Sequence, residues 1–323
     1  MPRRSRAGPT HSAGLLNPML YRPLGKTGLT VSEIGFGCAS WWGQRAFDEG
    51  QAIALVHAAL DRGVTFFDTG ASYSSGNAEP RLGRALRGRD LTGLVIATKA
   101  GTAHNGRRVV RDMSPAAIEA SVHRSLANLG LARLPLLQLH GPAILDLTDD
   151  LLATLEGLKA RGLVQALGVN SFDPAVIDHV AGLPQFDVVM VDFNVLRPER
   201  GPLIARAAAA GKGVLAGMPL AMGHTGGQVL NLRAPRDIWY ALRALKNHRA
   251  EVLAGRRFGF LHQQPGISGA QAALAYVLAN PNVACAVTGT TRMAHLLDNL
   301  DASGRALSPQ LASAIAAAQS AAS

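Results

Sequence analysis

The chain has few cysteines, few aromatic residues and no long apolar run, and each shortage excludes a class of protein. The two cysteines, Cys38 and Cys285, lie far apart in the 323 residues and neither belongs to a CxxC pair, which argues against a disulfide scaffold or a zinc cluster. No apolar run approaches the ~20 residues that span a membrane. Aromatic residues form 5% of the chain, and no aromatic ladder accompanies the arginines, so nucleic acid is an unfavourable partner. We therefore expect a cytoplasmic protein with reduced thiols and no membrane association.

Acidic residues are also scarce, with 22 against 32 lysines and arginines, which gives a formal net charge of +10. Part of the excess lies in the first residues and in two arginine clusters, at 84–89 and 107–111. Such a balance suits a negatively charged cofactor or substrate. Residues 1–18 are basic and lack the apolar core of a secretory signal, so we expect a disordered extension there and a single ordered domain over 19–323.

From residue 31 onwards, short apolar runs alternate with helical patterns. Most of the runs are apolar throughout, which is typical of parallel strands buried on both faces. Ser114-Pro115 and Asp173-Pro174 are helix start signals, and Gly130 stands where a helix should end. The predicted strands are 33–37, 64–68, 94–98, 135–139, 164–169, 187–191, 213–216 and 283–287, and the predicted helices are 48–62, 78–87, 115–129, 149–161, 174–181, 201–210, 270–280 and 292–300.

Eight β/α pairs predict an α/β fold, a closed (β/α)₈ TIM barrel. The rhythm is broken by an insertion at 217–268 after the seventh strand, and an extra C-terminal helix follows Ser308-Pro309. A doubly wound open sheet is the alternative, but it calls for G-x-G-x-x-G after an early strand, and "IGFGCASWWG" at 34–43 supplies only G-x-G. The insertion would rise from the face where TIM barrels form their active sites. It is therefore expected to affect substrate specificity, with a plain packing role as the alternative.

Three successive predicted strands end in a titratable residue: Asp68, Lys99 and His140, with Tyr73 close behind Asp68 in "TFFDTGASYSSG". In a barrel these strand ends share one mouth. A tyrosine has a pKa near ~10, and a neighbouring ammonium, Lys99, is expected to lower that pKa. Asp68 would keep Lys99 charged, and His140 would donate a hydrogen bond to the same substrate oxygen. The four residues therefore predict a catalytic site that protonates a developing oxyanion.

This four-residue set, together with "LGKTGLTVSEIGFG", "NAEPRLGRAL" and "VIATKAG", resembles the aldo-keto reductases over about residues 20–301. The resemblance implies an NAD(P)(H)-dependent barrel enzyme that uses no metal and is usually monomeric. Hydride would pass between the nicotinamide and a carbonyl carbon while Tyr73 supplies the proton. We accordingly expect a monomer or a weak homo-oligomer with a small carbonyl or alcohol substrate.

The resemblance also implies positions for the nicotinamide and the pyrophosphate. Asn170 and Ser171, in "GVNSF", match in reversed order the pair that holds the carboxamide in this family. Gly217 stands where an aromatic residue often stacks on the nicotinamide, so that stack is missing or supplied from elsewhere. "GMPLAMG" is similar to the loop that wraps the pyrophosphate, which implicates Met218 and Leu220 through their backbones.

The segment "VTGTTRMAHLLDN" resembles the part of the family that binds the adenosine phosphate. Backbone N–H groups at a helix N-terminus make an anion site, and two acidic or amide side chains match positions that contact adenine. The usual lysine and arginine for the 2′-phosphate are replaced by Gly289 and His295, but the guanidinium of Arg292 could take over. NADP(H) is therefore predicted, with NAD(H) as the alternative. The implied residues are Gly289, Thr290, Thr291, Arg292, His295, Asp298 and Asn299.

The predicted function is that of an NADP(H)-dependent carbonyl reductase or alcohol dehydrogenase acting on a small or medium aldehyde, ketone or sugar. Trp41, Trp42 and Trp239 are predicted to line the substrate pocket, with core packing as the alternative for the first two. A sugar lactol dehydrogenase is the second hypothesis, since stretches 77–83 and 219–223 are similar to sugar dehydrogenase members of the family. The third is a cofactor-binding regulatory subunit with little turnover, of the kind that serves ion channels.

Overall fold

The computed structural model describes residues 18–225 and 249–321. The predicted extension at 1–18 therefore lies almost entirely outside the described residues, as does the middle of the insertion. Among the described residues, no helix is long and apolar enough to cross a membrane. The strands are β1 Tyr21–Pro23, β2 Thr30–Ser32, β3 Ile34–Gly37, β4 Phe66–Asp68, β5 Val95–Ala100, β6 Thr102–His104, β7 Val109–Arg111, β8 Leu134–His140, β9 Val164–Asn170, β10 Val188–Asp192, β11 Gly213–Gly217 and β12 Cys285–Thr288.

Eight of these strands close into a parallel barrel in the order β3-β4-β5-β8-β9-β10-β11-β12. The ring is closed by β12 and β3, which pair in parallel with Ala286 opposite Ile34. Each barrel strand coincides with one of the eight predicted apolar runs. The structure is therefore the α/β TIM barrel that the sequence predicts, and the doubly wound alternative is excluded.

The helices are α1 Glu49–Asp61, α2 Ala78–Leu86, α3 Pro115–Leu129, α4 Asp149–Ala160, α5 Pro174–Ala181, α6 Gly201–Ala209, α7 Arg249–Gly255, α8 Gly269–Leu278, α9 Met293–Leu300 and α10 Pro309–Ser320. The predicted start signals work as caps: the Ser114 hydroxyl accepts a hydrogen bond from the N–H of Ala117. Gly130 ends α3 in the left-handed region, at φ 69°, which glycine adopts without steric cost.

Two hairpins that the sequence analysis did not predict flank the barrel. At the N-terminal end, β1 and β2 pair antiparallel, and Leu24 between them packs into the barrel interior. Arg22 fixes this plug through Glu33, at 2.7 Å, and through the carbonyl of Val283, at 2.9 Å. At the opposite end, β6 and β7 form a second hairpin directly after β5. This second hairpin places Thr102 at the mouth of the barrel.

The alternation of side chains along each strand divides the core in two. Inward-facing residues such as Phe66, Ala97 and Leu136 fill the barrel, while outward-facing residues such as Phe67 and Leu137 pack against the helices. This arrangement explains why the strands are apolar throughout, because both faces are removed from water. Polar groups are left to the C-terminal ends of the strands, where the interior opens.

The insertion after β11 and the C-terminal helix pack against each other. Within the described part of the insertion, α7 is followed by a 3₁₀ segment, Arg256–Gln263, whose Phe258 and Leu261 form a small apolar cluster with Leu311 and Ile315 of α10. The Gln319 amide donates to the carbonyl of Val195, at 2.9 Å, and anchors α10 to the loop after β10. The predicted C-terminal helix therefore packs on the described C-terminal part of the insertion.

Candidate active site

The ends of β4 and β5 form a buried ion pair. The ammonium Nζ of Lys99 lies 2.6 Å from both carboxylate oxygens of Asp68 and 2.9 Å from the carbonyl oxygen of Thr69. The Gln138 amide donates to the same carboxylate at 3.2 Å. Burial is the largest single influence and lowers the pKa of Lys99, but the charge and hydrogen bonds of Asp68, together with those of Tyr73, outweigh it, so that the net pKa lies above the ordinary value. Lys99 therefore stays charged at neutral pH inside an almost dry pocket.

The phenol ring of Tyr73 lies over this ion pair. Lys99 Nζ is 4.8 Å from the ring centroid, and the His140 ring stands edge-on at a centroid distance of 5.5 Å. Gly70 lies against the ring: a Cβ there would be in ordinary van der Waals contact with the ring carbons of Tyr73, at 3.5 Å. The following residues Ser74 and Ser75 are left-handed, at φ 53° and 59°, and turn the chain sharply behind the phenol. The structure thus brings Asp68, Tyr73, Lys99 and His140 together at one mouth.

The protonation of Tyr73 differs from the expectation. Burial raises the pKa of the phenol above its ordinary value of 10.0; the charge of Lys99 opposes this rise, and that of Asp68 reinforces it. Lys99 lowers the pKa of Tyr73 as predicted, but the predicted net decrease is wrong for this structure, because removal of the phenol from water outweighs the ammonium. The phenol holds its proton at neutral pH and can donate it.

His140 is held by a pair of hydroxyls that the sequence analysis missed. Its Nδ1 lies 2.7 Å from Oγ1 of Thr102, which in turn lies 3.0 Å from Oγ of Ser72. Burial and, to a smaller extent, the nearby charge of Lys99 together lower the pKa of His140 to about 4. The imidazole is therefore neutral at physiological pH, with one ring nitrogen turned towards Thr102.

The strands β9 and β10 line the mouth with one polar residue, Asn170, and one apolar residue, Met190. Asn170 is in register with His140 on one side and with Met190 on the other, so its side chain shares their inward face. No hydrogen-bond partner for the Asn170 side chain lies among the described residues, whereas Ser171 accepts from the N–H of Asp173 at 3.2 Å. The two residues of the "NS" pair therefore have different surroundings, and Asn170 is the one free to bind a ligand.

Gly217 lacks the aromatic side chain that is common at this position in the family, and the side chains of Phe172 and Met190 lie next to the space that it leaves. A Cβ on Gly217 would lie 3.6 Å from Cε1 of Phe172 and 3.6 Å from Cε of Met190. Phe172 is 45% exposed, and its carbonyl accepts from Arg200 at 3.0 Å, which fixes its backbone. Phe172 was not singled out in the sequence, although its position directly after "GVNS" could have indicated it. Its exposed ring lies beside the space that Gly217 leaves open.

The loop after β11 has an unusual backbone. Met218, Ala221 and Met222 are left-handed, at φ 50°, 47° and 54°, which costs of order 1 kcal/mol or more for each non-glycine residue. The Asn194 amide holds this loop by donating to the carbonyl of Met218, at 3.0 Å. Leu220 packs partly against the core. The predicted backbone contacts of Met218 and Leu220 with a pyrophosphate stay predictions.

The residues predicted to bind the adenosine phosphate lie in and after the connection from β12 to α9. Some of them are exposed, and others already make hydrogen bonds within the protein. Gly289 is exposed, and a Cβ there would lie 3.0 Å from the carbonyl oxygen of Gly37, so a larger residue would crowd the end of β3. Asp298 already accepts from Ser268, at 2.7 Å, and from the amide of Gln271, at 2.9 Å. Its predicted adenine contact would therefore compete with these bonds. The other predicted residues here are distributed as follows: Asn299 is buried, Thr290, Thr291 and Arg292 are half-buried, and His295 is exposed.

The three tryptophans predicted to line the substrate pocket have different outcomes. Trp42 is 1% exposed, donates to the carbonyl of Ala52 at 3.1 Å, and meets Phe36 edge-on. The prediction that Trp42 lines the pocket is wrong, because its ring is sealed between the barrel and α1. Trp41 is half-buried and stays a prediction, while Trp239 lies outside the described residues. In the described ranges, no group of three His, Cys, Asp or Glu residues is placed to hold a metal ion.

Comparison with known proteins identifies the family. The model of the Aldo/keto reductase family matches residues 33–320, so the chain belongs to that family of oxidoreductases. It is 29% identical over 294 residues to the uncharacterized oxidoreductase YqkF of Bacillus subtilis, covering 88% of this chain and 91% of the relative. It is 26% identical over 301 residues to a D-threo-aldose 1-dehydrogenase of a Pseudomonas species, covering 85% and 90%.

The solved structures agree. The aldo-keto reductase AKR11C1 from Bacillus halodurans, in its holo form, superposes with a TM-score of 0.75 at 26% identity, covering 93% of this chain and 96% of that one. The family resemblance and the barrel are thus confirmed. Members of this family generally use a nicotinamide cofactor.

Proposed function

We propose that the protein is an NADP(H)-dependent carbonyl reductase whose proton donor is Tyr73. The observation that carries this proposal is the stacking of three groups at one mouth: the phenol over the Lys99 ammonium, and the ammonium on the Asp68 carboxylate. A phenol that keeps its proton at neutral pH suits reduction, in which the carbonyl oxygen must gain a proton. When bound, the nicotinamide supplies the hydride that this reaction needs.

The four residues divide the work on the substrate oxygen. Tyr73 donates its proton to the oxygen as negative charge develops there. The phenolate left behind is stabilised by the charge of Lys99, which lies 4.8 Å from the ring centroid in a site of low dielectric constant. Asp68 keeps Lys99 charged and in place, through both carboxylate oxygens. Neutral His140 lies beside the phenol and donates a second hydrogen bond to the same oxygen.

Residues of this chain fit a nicotinamide. Asn170 presents an amide on the inward face, suited to the carboxamide because an amide both donates and accepts hydrogen bonds. Phe172 offers an exposed, flat, apolar ring on the same side of the mouth, in the place that Gly217 leaves without a side chain. We infer that Phe172 supplies the apolar contact for the nicotinamide ring. The exposed Gly289 and the backbone N–H groups of Thr290 and Thr291 suit a phosphate.

NADP(H) is preferred to NAD(H) on the chemistry of Arg292. A guanidinium forms two parallel hydrogen bonds with a phosphate, and Arg292 stands at the start of α9, next to the proposed phosphate site. Fluorescence titration of NADPH and NADH with wild type and Arg292→Ala tests this. We expect a preference for NADPH that the variant erases; equal binding of the two cofactors by wild type would contradict it.

The proton donor is tested with Tyr73→Phe. NADPH-dependent reduction of a panel of aldehydes and ketones should fall by about a thousandfold or more, since general-acid catalysis and the oxyanion contact are both lost. NADPH binding should remain within about twofold of wild type. A variant with full turnover would refute the role of Tyr73, and a variant without cofactor binding would indicate a damaged site instead.

Oxidation of a sugar lactol is the second candidate, favoured by the similarity to the D-threo-aldose 1-dehydrogenase. The same residues would run in reverse, with Tyr73 accepting the proton of the lactol hydroxyl. Assays in both directions, with lactols and simple carbonyls and with both cofactors, separate the two functions. Tight NADP(H) binding with negligible turnover in every assay would instead support the regulatory-subunit hypothesis.

A further inference from the structure

A chain of two hydroxyls connects the loops on either side of the proposed proton donor. Oγ of Ser72 lies 3.0 Å from Oγ1 of Thr102, and Oγ1 of Thr102 lies 2.7 Å from Nδ1 of His140. Ser72 immediately precedes Tyr73, Thr102 belongs to the hairpin after β5, and His140 ends β8. The three residues thus join three successive loops of the mouth.

The fold fixes Thr102 in this position. Gly101 turns the chain out of β5 at φ 91°, where a Cβ would collide with Sδ of Met113, at 2.3 Å. Thr102 then pairs with Arg111 across the hairpin. Its hydroxyl is half-buried and lies within hydrogen-bond distance of only these two side chains in the described part of the protein. The hairpin of β6 and β7, which was not predicted from the sequence, therefore places the Thr102 hydroxyl next to Nδ1 of His140.

The direction of the two hydrogen bonds decides what His140 can do. A neutral imidazole has one N–H and one bare nitrogen. If Thr102 donates to Nδ1, and Ser72 donates to Thr102, the N–H of His140 must be on Nε2, on the other side of the ring. With the opposite polarity, Nδ1 would carry the proton and Nε2 would have only a lone pair to offer. A lone pair would repel a carbonyl oxygen, so only the first polarity assists reduction.

We propose that Thr102, supported by Ser72, is a positioning residue that holds His140 in the Nε2–H tautomer, with that N–H directed to the substrate oxygen. The role of this N–H towards a substrate oxygen rests on the proposed function. The tautomer of His140 does not, because it is a property of the free protein. The hydroxyl of Thr102 is what matters here, rather than its methyl group. Ser72 acts one step further away, by occupying the acceptor side of the Thr102 oxygen.

The kinetic experiment compares Thr102→Val, which replaces the hydroxyl with a methyl group of similar size, with Thr102→Ser, which keeps the hydroxyl. We expect Thr102→Val to lower kcat for carbonyl reduction about tenfold, the effect of losing one well-placed hydrogen bond, with KM nearly unchanged. Thr102→Ser should recover most of the loss, and Ser72→Ala should have a smaller effect. The matched control is Thr154→Val on the exposed face of α4, where the hydroxyl bonds only within its own helix.

Two kinetic results would overturn the proposal. One is a Thr102→Val variant with unchanged kcat. The other is a Thr102→Ser variant as slow as Thr102→Val, which would assign the effect to packing of the methyl group. Thermal unfolding of each variant shows whether a loss of turnover follows from a loss of folded protein, and the kinetic comparison is made at a temperature where all are folded.

A second readout does not depend on turnover. In protein labelled with ¹⁵N-histidine, the nitrogen shifts distinguish the two tautomers, and His140→Asn assigns the His140 signals. We expect the Nε2–H tautomer in wild type and Thr102→Ser and a mixture in Thr102→Val. An Nδ1–H tautomer in wild type, or no change in Thr102→Val, would overturn the proposal. If wild type reduces no carbonyl, the proposed function fails, and this spectrum still decides the role of Thr102.

Discussion

The ammonium of Lys99 lies 2.6 Å from each carboxylate oxygen of Asp68, with both side chains almost completely removed from water. The pair connects the ends of two adjacent barrel strands, and the proposed proton donor lies directly above it. Removing one partner of a buried ion pair leaves an uncompensated charge, which is far more damaging than the loss of an exposed pair. The first prediction follows from this contrast.

Asp68→Asn should destabilise the protein by about 3–5 kcal/mol and lower kcat for reduction by at least about a hundredfold, because Lys99 then loses the charge that keeps it protonated. Urea unfolding and steady-state kinetics measure the two effects. The control is Asp178→Asn, which breaks the exposed pair with Arg206 and should cost under about 1 kcal/mol. Similar losses in the two variants would contradict the special status of the buried pair.

The pH dependence of turnover should differ between the two reaction directions. Burial places the pKa of Tyr73 above 10.0, so the phenol is protonated across the neutral range. Reduction, which uses the protonated phenol, should have no break assigned to Tyr73 below pH 10, and oxidation, which uses the phenolate, should rise with pH over the same range. Profiles of kcat/KM in both directions measure this. A fall in reduction between pH 7 and about 9, matched by a plateau of oxidation over the same range, would show a lowered pKa of Tyr73 instead.

His140 should titrate far below an ordinary histidine. Burial and the charge of Lys99 bring its pKa from 6.5 to about 4, so the folded protein favours the neutral ring. The stability that this neutral ring allows is complete above pH 6.5 and is lost as the pH falls through about 4. NMR titration of His140 checks the midpoint, and denaturation as a function of pH should show less acid sensitivity in His140→Asn. A midpoint near 6.5 would show that the ring is solvated.

The exposed ring of Phe172 should contribute to cofactor binding. Aromatic contacts are worth roughly 0.5–1.5 kcal/mol, so Phe172→Ala should weaken NADPH binding roughly threefold to tenfold. The control is Leu145→Ala, since Leu145 is 91% exposed in the loop after β8 and lies outside the proposed nicotinamide contacts. Unchanged NADPH affinity in Phe172→Ala, measured by fluorescence titration, would assign the nicotinamide to another wall of the mouth.

The barrel and its polar mouth were predictable because they depend on local signals. Strands such as 135–139 are apolar throughout and short, and Gly130 and Ser114-Pro115 mark helix ends through backbone chemistry that does not depend on the rest of the chain. Once the strands are placed, the strand ends carry Asp68, Lys99 and His140 to one face by topology alone. That part of the site needs no knowledge of distances.

The other features of the site could not be predicted, because they depend on contacts between residues that are far apart in the sequence. Trp42 and Trp41 are adjacent and alike in sequence, and only packing against Phe36 shows that the first is core. In the sequence, nothing distinguishes Thr102 from other strand residues. Only the hairpin of β6 and β7 places its hydroxyl next to His140. The pKa of Tyr73 was predicted in the wrong direction because the sequence shows the charge of Lys99 but not the depth of burial. The role of residues 226–248, which include Trp239, stays a prediction.

Transfer of deuterium tests the central claim most directly. NADPH labelled with deuterium at the reactive C4 position is incubated with an aldehyde and either wild type or Tyr73→Phe, and the alcohol is analysed by mass spectrometry. We predict an alcohol with one deuterium on the former carbonyl carbon from wild type, and almost no alcohol from Tyr73→Phe, although that variant still binds NADPH. No labelled alcohol from wild type with any aldehyde or ketone, or equal label from the two proteins, would contradict the account.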